Sequence, residues 1–208
     1  MGKILITAAV RQELAAFHSA DGRILRLTTG MGKGAGRSVR DHLRRRPVDW
    51  VISVGFAGGA CPGLRVGDLI LASEVREQAT GRVFRPSPLP ERMREVAQVG
   101  PLVTVSSLLD PAGKAQVGSR WGAVAVEMET VYIAAAAEEA GVRWLALRVI
   151  LDPLEVLVSV RSMSQALGWA AQPWRWARLA RFWGSVRTAG ESLARGLELL
   201  VQQVVSPD

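Results

Sequence analysis

Seven short apolar runs, rich in β-branched residues, recur along this chain, and three of them end at a glycine or a carboxylate. The runs are Lys3–Ala9 (KILITAA), Gly22–Gly30 (GRILRLTTG), Val48–Gly59 (VDWVISVGFAGG), Gly67–Val75 (GDLILASEV), Gly100–Leu109 (GPLVTVSSLL), Gly122–Met128 (GAVAVEM) and Val142–Asp152 (VRWLALRVILD). Runs of this length and composition are strands rather than helices. Helical patterns fall between several of them. VRQELAAFHSA (10–20) is one. GKGAGRSVRDHLRRRP opens on a glycine turn and stops before Pro47, and TVYIAAAAEEAG closes at Gly141. Alternation of this kind predicts an α/β fold: one domain, a mixed twisted central sheet flanked by helices, and a helical C-terminal segment. Residues 1–153 form the α/β core in this reading, and 154–208 are a helical extension rich in Trp and Arg, packed on the same domain. The proline-rich stretch Phe84–Pro90 (FRPSPLP) is expected to be a surface excursion near the site.

Composition narrows the function classes. A single cysteine, Cys61, leaves no internal disulfide and no CxxC metal site, so no metal and a reducing cytoplasm are expected. No apolar run reaches the ~18–20 residues of a spanning helix, and MGKILITAAV is interrupted too early for a signal peptide. The net charge is +7, carried by 26 Lys and Arg, of which only Lys3, Lys33 and Lys114 are lysine. The arginines are scattered and no nucleic-acid module is present, so nucleic acid is not an expected partner. The exception is the tail. Between Val160 and Arg187 there are five arginines and no acidic residue, and four of the seven tryptophans lie between Trp169 and Trp183. On a helical wheel Trp176, Leu179, Phe182, Trp183 and Val186 share a face, flanked by Arg178, Arg181 and Arg187. Such a face either packs on the domain with its arginines outward, or touches a membrane surface or a lipid-like substrate.

The residues that could carry chemistry are carboxylates at strand ends. Glu13 follows the first strand, Glu127 and Glu129 end the sixth, and Asp152 ends the seventh. Carboxylates converging on one mouth suit a reaction that develops positive charge, such as glycosidic cleavage, with a buried one as general acid. Glu127 and Glu129 share a face if the strand continues, and diverge if the chain turns into a helix between them. Gly55, Gly58 and Gly59 stand where a buried strand leaves the sheet, where missing side chains would let a flat ligand lie against the backbone. The stretch Gly30-Met31-Gly32-Lys33-Gly34-Ala35 matches G-x-G-x-x-A, but after the second strand rather than the first. A backbone loop near a sugar or anion fits it better than a dinucleotide site. His18 and His42 both lie on apparent helices, and no zinc-protease, hydrolase-elbow or Walker pattern occurs.

Taken in order, TGMGKGAG, VGFAGGACPGLRVGDLILASEV, AVAVEMET and LALRVILD resemble the purine nucleoside phosphorylase/nucleosidase superfamily, and within it the 5'-methylthioadenosine/S-adenosylhomocysteine nucleosidases. The likeness runs from about Lys3 to Pro153. It implies that Asp152 protonates the purine at N7 and that Glu13 positions the attacking water. It implies that Glu129 binds the ribose hydroxyls, with Met128 packed under the sugar. Glu127 becomes an organiser of water or of Arg148. Ala57 and Gly58 lie beside the ligand through their backbone, Leu108 and Leu109 sandwich the base, and Phe56 and Met31 complete the binding set. Leu151 departs from the pattern, which has a serine before the aspartate, and Phe56 replaces a small polar residue. Arg11 and Arg37 are the candidates for holding phosphate. No cofactor is implied, phosphate remains open as a co-substrate, and hydrolysis is favoured.

The segments SVGFAGG and LALRVILDP, the compact length and the tail further resemble the hopanoid-biosynthesis-associated phosphorylase-like proteins. That group implies adenosylhopane as substrate, a lipid-linked nucleoside, with the C-terminal segment at the inner membrane face. The superfamily also implies a homodimer. The expected activity is release of adenine from a 5'-substituted adenine nucleoside. The alternatives are a methylthioadenosine/S-adenosylhomocysteine or futalosine nucleosidase, and, in another class, a non-catalytic nucleoside-binding protein.

Overall fold

A computed structural model of the chain describes residues 2–154 and 173–205, with the side chains of the last helix from Phe182 onward. The elements in order are β1 (Ile4–Ala8), a 3-10 turn (Arg11–Leu14), β2 (Ile24–Thr28), α1 (Gly34–Arg45), β3 (Trp50–Gly59) and β4 (Leu69–Glu77). Then come β5 (Val83–Phe84), α2 (Met93–Val96), β6 (Gln98–Thr104), α3 (Pro111–Trp121), β7 (Ala125–Glu127), α4 (Thr130–Glu139), β8 (Arg143–Asp152) and α5 (Pro173–Val205).

The eight strands form one mixed sheet, in the order β2-β1-β3-β7-β6-β4-β5, with β8 pairing both β3 and β4. This sheet is not open. β8 runs parallel to β3 along its whole length and antiparallel to the start of β4, which closes the ring β3-β7-β6-β4-β8. One edge of β3 serves two partners, β1 in its first half and β7 at Gly58 and Gly59. Since β7 is antiparallel to β3, Glu127 reaches the site because β7 is short and overlaps the carboxyl end of β3.

The two faces of the sheet bury different helices. On one face α1 and α4 pack through Ala35, Val39, Val131, Ala134 and Ala137 against Leu5, Val51 and Ala146. The approach is close: a Cβ on Gly36 would stand 2.6 Å from the Tyr132 carbonyl oxygen. On the other face α5 inserts Ala189, Leu193, Leu197 and Leu200 among Ile52, Leu69, Leu145 and Leu147. Their spacing of three and four residues is the period of a helix with one apolar stripe. The Ser192 hydroxyl donates to the Gly67 carbonyl at 2.7 Å and pins the helix in register.

Four local expectations are revised. The helix expected over 10–20 is reduced to the turn Arg11–Leu14, because Leu14 and Phe17 are both drawn into the core. The fifth strand ends at Thr104, not at 109, and leads to α3, a helix the apolar pattern did not announce. Asp110 caps α3 by accepting from the Gly113 amide at 2.7 Å, Pro111 opens it, and Gly122 ends it in the left-handed conformation (φ 62°). Gly122 therefore belongs to this cap rather than to the sixth strand. The segment Phe84–Pro90 does not border the strand ends that carry the carboxylates. Its Ser87 exchanges hydrogen bonds with the Trp144 backbone, at the opposite end of β8 from Asp152.

If α5 is held by its stripe, Leu193→Ala should cost about 3 kcal/mol in urea denaturation, and Leu199→Ala, on the exposed side, less than about 0.5 kcal/mol.

Candidate functional site

The site grows from one buried cation. Arg148, in the middle of β8, is 2% exposed and points at β7. Its Nη2 donates to Glu127 Oε2 (3.2 Å), Ser53 Oγ (2.8 Å) and Thr130 Oγ1 (2.5 Å). Glu127 in turn accepts from the amides of Glu129 (3.0 Å) and Thr130 (2.7 Å) and from the Thr104 and Thr130 hydroxyls. One carboxylate thus caps α4, neutralises Arg148 and ties β6, β7 and β8 together.

That cap decides the geometry of Glu-Met-Glu. The strand stops at Glu127 and α4 begins at Thr130, so the two glutamates diverge. Glu127 turns inward to Arg148. Glu129 turns to the glycine loop, where it accepts from the Gly32 amide at 2.9 Å. Burial, followed by the Glu127 charge, pushes the Glu129 carboxyl up to about 7; the Gly32 amide and Arg148 act in the opposite direction.

Glu13 is fixed by backbone on both oxygens. Oε1 accepts from the Phe56 amide (2.9 Å) and Oε2 from the Val10 amide (3.0 Å). Burial raises its pKa against those two hydrogen bonds. A Cβ on Gly55 would come within 2.7 Å of its Oε1, so Gly55 makes room for this carboxylate rather than for a ligand.

Asp152 ends β8 opposite Gly58, at an irregularity in the β3 register between Ala57 and Gly58. Its Oδ2 lies 3.0 Å from Nζ of Lys114 on α3. Lys114 is 1% exposed, and its stem crosses β3 over Gly58, where an added Cβ would meet its Cδ at 3.2 Å. Gly118 seats α3: with any side chain there it would run into the Ala60 carbonyl.

These groups line one cavity of about 340 Å³, the size range of small-molecule sites. Glu13, Glu127, Glu129, Lys114 and Asp152 supply its polar groups. Phe56, Ala57, Gly58, Met128, Leu109 and Leu151 add apolar or backbone wall. Met31 and Leu108, both more than half exposed, stand at the mouth with Trp183, and Phe182 and Val186 complete an apolar wall from α5. Of the catalytic and nucleoside-binding residues expected from sequence, only Arg148 does not line the cavity; it lies behind Glu127. Arg11 and Arg37 are exposed and do not line it either, so the structure does not bring the two phosphate candidates to the site. Of the tail face, Phe182, Trp183 and Val186 reach the cavity, while the side chains of Trp176, Leu179, Arg178 and Arg181 lie outside the described residues. Among the described residues no group of His, Cys, Asp and Glu could hold a metal ion, and no helix is long and apolar enough to cross a membrane.

The family model of the phosphorylase superfamily matches residues 7–171, most of the chain and every carboxylate of the cavity. The chain belongs to the phosphorylase superfamily. No curated protein sequence matches it. Among solved structures it is similar to the S-adenosylhomocysteine nucleosidase of Streptococcus pyogenes in complex with 5-methylthiotubericidin: 19% identity, 96% of this chain and 97% of the other, TM-score 0.71. It is also similar to a mutant of the Helicobacter pylori nucleosidase with 5'-methylthioadenosine in the active site: 16% identity, 98% and 99% covered, TM-score 0.73. A third is the 5'-methylthioadenosine/S-adenosylhomocysteine nucleosidase of Neisseria meningitidis with methylthio-immucillin-A: 18% identity, 98% and 100% covered, TM-score 0.73. At these identities the likeness is one of fold, and it extends over nearly the full length of each chain.

In this member of the superfamily, Lys114 is the site residue that sequence reasoning missed. Two signals for it were present. Asp110-Pro111 is a helix start, and a lysine retained among 23 arginines, 26 basic residues less the three lysines, is unusual in this chain.

Two outcomes follow from the charges. Glu127→Gln leaves Arg148 buried without its counter-charge and should destabilise the protein by about 3–5 kcal/mol in denaturant titration. The Glu129 carboxyl, raised from an ordinary 4.5 to about 7, binds its proton more tightly in the native state than in the unfolded chain. Between those two values the native protein holds more protons, so stability falls as pH rises through that window. Glu129→Gln should therefore flatten the fall in Tm across that same window, about 4.5 to 7; an unchanged slope would place the Glu129 titration elsewhere.

Proposed function

We propose that this protein cleaves the N-glycosidic bond of a 5'-substituted adenine nucleoside and releases adenine. The observation that carries the reading is the meeting of Glu13, Glu129 and Asp152 with Met128 in one cavity, in a chain of the phosphorylase superfamily. The neighbours of the same fold hold methylthioadenosine or nucleoside analogues.

The chemistry follows from where the charges lie. As the bond from C1' to N9 breaks, the purine gains electrons and the ribosyl group becomes oxocarbenium-like. A proton delivered from Asp152 to N7 turns the base into a neutral leaving group. Glu129 accepts from the ribose hydroxyls, and its negative charge, with that of Glu13, favours the cationic sugar. Met128 packs its apolar face. Water held by Glu13 then attacks C1' and gives up its proton to that carboxylate. Glu13 suits this task because its two oxygens are anchored by amides while burial raises its affinity for a proton. Water rather than phosphate is the nucleophile in this reading, because among the described residues the cation lining the cavity, Lys114, is already paired with Asp152.

The apolar wall of Phe182, Trp183 and Val186, with Met31 and Leu108 at the mouth, favours a hydrophobic 5' group. In that direction the reading extends to a lipid-linked nucleoside such as adenosylhopane, whose bulk would leave the cavity along α5.

Incubation with 5'-substituted adenosines, with and without phosphate, should release adenine in both buffers; binding without release would make the protein a nucleoside binder. A strict phosphate requirement would make it a phosphorylase. Asp152→Asn should lower kcat by roughly 10²–10⁴-fold and leave nucleoside Kd within a few-fold. Equal losses in both would remove Asp152 from the acid role.

A further inference from the structure

The proposed reaction leaves one buried charge without a task. Lys114 is 1% exposed on α3, in a chain with only two other lysines, Lys3 and Lys33. Burying an ammonium costs several kcal/mol unless partners replace its water. Three of its contacts lie at the strand end that carries the acid. Nζ donates to the carbonyls of Asp152 (3.3 Å) and Pro153 (2.6 Å) and pairs with Asp152 Oδ2 (3.0 Å). One ammonium thus meets three oxygens of two consecutive residues. The neighbouring backbone is shaped to admit it. Gly58 leaves the space that the lysine stem occupies, and Gly118 lets α3 approach β3 closely enough to deliver it. Residue 151, on the other side of the acid, is leucine and offers no polar side-chain atom to orient a carboxyl group.

We infer that Lys114 is the positioning residue of the general acid: it fixes the Asp152 carboxyl group against the purine and carries the proton that Asp152 delivers. This rests on the adenine-releasing reading. The proton count decides the form of the step. A carboxylate paired with an ammonium has no proton of its own to give, and the proton available to the pair is on Nζ. As the C1'–N9 bond breaks, Asp152 passes a proton to N7 and takes one from Nζ, leaving a neutral amine beside a carboxylate. The attacking water gives its proton to Glu13. Exchange with solvent then returns one proton to Nζ and removes one from Glu13, so the cycle closes without a co-reactant. Among the described residues, Glu13, Glu127, Glu129 and Arg148 are the other charged groups around this cavity. Glu127 and Arg148 are already paired with each other, and Lys114 is the described cation paired with the acid.

The test separates proton delivery from mere support of the fold. Two substrates with the same 5' group are compared: the adenine nucleoside, whose base must be protonated to leave, and a 4-nitrophenyl β-riboside, whose leaving group needs no proton. Lys114→Met should lower kcat for adenine release at least about 100-fold, with KM within about threefold, and lower nitrophenol release less than about fivefold. Asp152→Asn should show the same split. Lys114→Gln, which keeps a donor for the two carbonyls without the charge, should behave as Lys114→Met does; it is the variant to use if Lys114→Met does not fold. Lys114→Arg should not recover the loss, because a guanidinium restores the charge but keeps its protons. Equal slowing of both substrates would reduce Lys114 to a structural prop and overturn the inference, as would adenine release near the wild-type rate. A wild-type protein that releases no adenine overturns the functional reading itself, and the inference falls with it.

Discussion

The buried pair of Arg148 and Glu127 is the constraint on which the rest of the molecule depends. Arg148 sits on the strand that closes the sheet into a ring, and a cation there is tolerable only if a carboxylate meets it. Glu127 meets it and, with the same oxygen, caps α4 through two backbone amides. One ion pair therefore determines where β7 ends, where α4 starts and where Glu129 points. It also sets the field in the cavity, because the positive charge of Arg148 acts on both Glu13 and Glu129. A site that crowds Glu13, Glu127 and Glu129 needs such a countercharge, and Arg148 supplies it from behind the cavity wall.

The glycines of β3 take on a different meaning from the one their spacing suggests. A glycine cluster at a strand end reads as a platform for a flat ligand. Gly55 and Gly58 do serve the site, but by admitting side chains from elsewhere: Glu13 at the first and the Lys114 stem at the second. Both are groups that the reaction would use. The bare backbone is thus the negative image of the functional side chains: a methyl group at Gly55 would force the Glu13 carboxylate to shift, and one at Gly58 would press on the lysine stem.

How far the sequence could be read follows from the range of the interactions involved. All seven apolar runs contain a strand close to where their pattern put it, and in six of them burial leaves the local signature. The seventh, Gly22–Gly30, became the edge strand β2, which is only half-buried. The carboxylates were legible for the same reason: an acidic residue at the end of an apolar run is conspicuous. Closure of the ring was not legible, since the pairing of β8 with β4 is a long-range choice between edges. The direction of β7 was hidden for the same reason. Lys114 was missed because α3 has only a weak apolar face, with Lys114 and Val117 as its buried residues, and its buried lysine mimics a surface residue in the pattern. The expected helix after β1 failed because tertiary pull on Leu14 and Phe17 outweighed a modest helical preference.

The cavity is built in two halves of opposite character, and that division bears on how binding energy could be used. Its floor holds the charged groups, each fixed by hydrogen bonds made before any ligand arrives. Preorganised charge of this kind acts on the transition state rather than the ground state, because it is aimed at charge that appears only as the bond breaks. Its mouth is apolar, assembled from Met31, Leu108 and the Phe182–Trp183 edge of α5. Apolar contact with a 5' group would not change during the reaction. In the proposed reaction it would hold the sugar against Met128, so that loss of freedom is settled on binding. The C-terminal helix therefore does more than cover the sheet. The same helix that fills the core with Leu193 and Leu197 carries the wall that would grip the substrate's tail, so the helix must be docked before that wall exists.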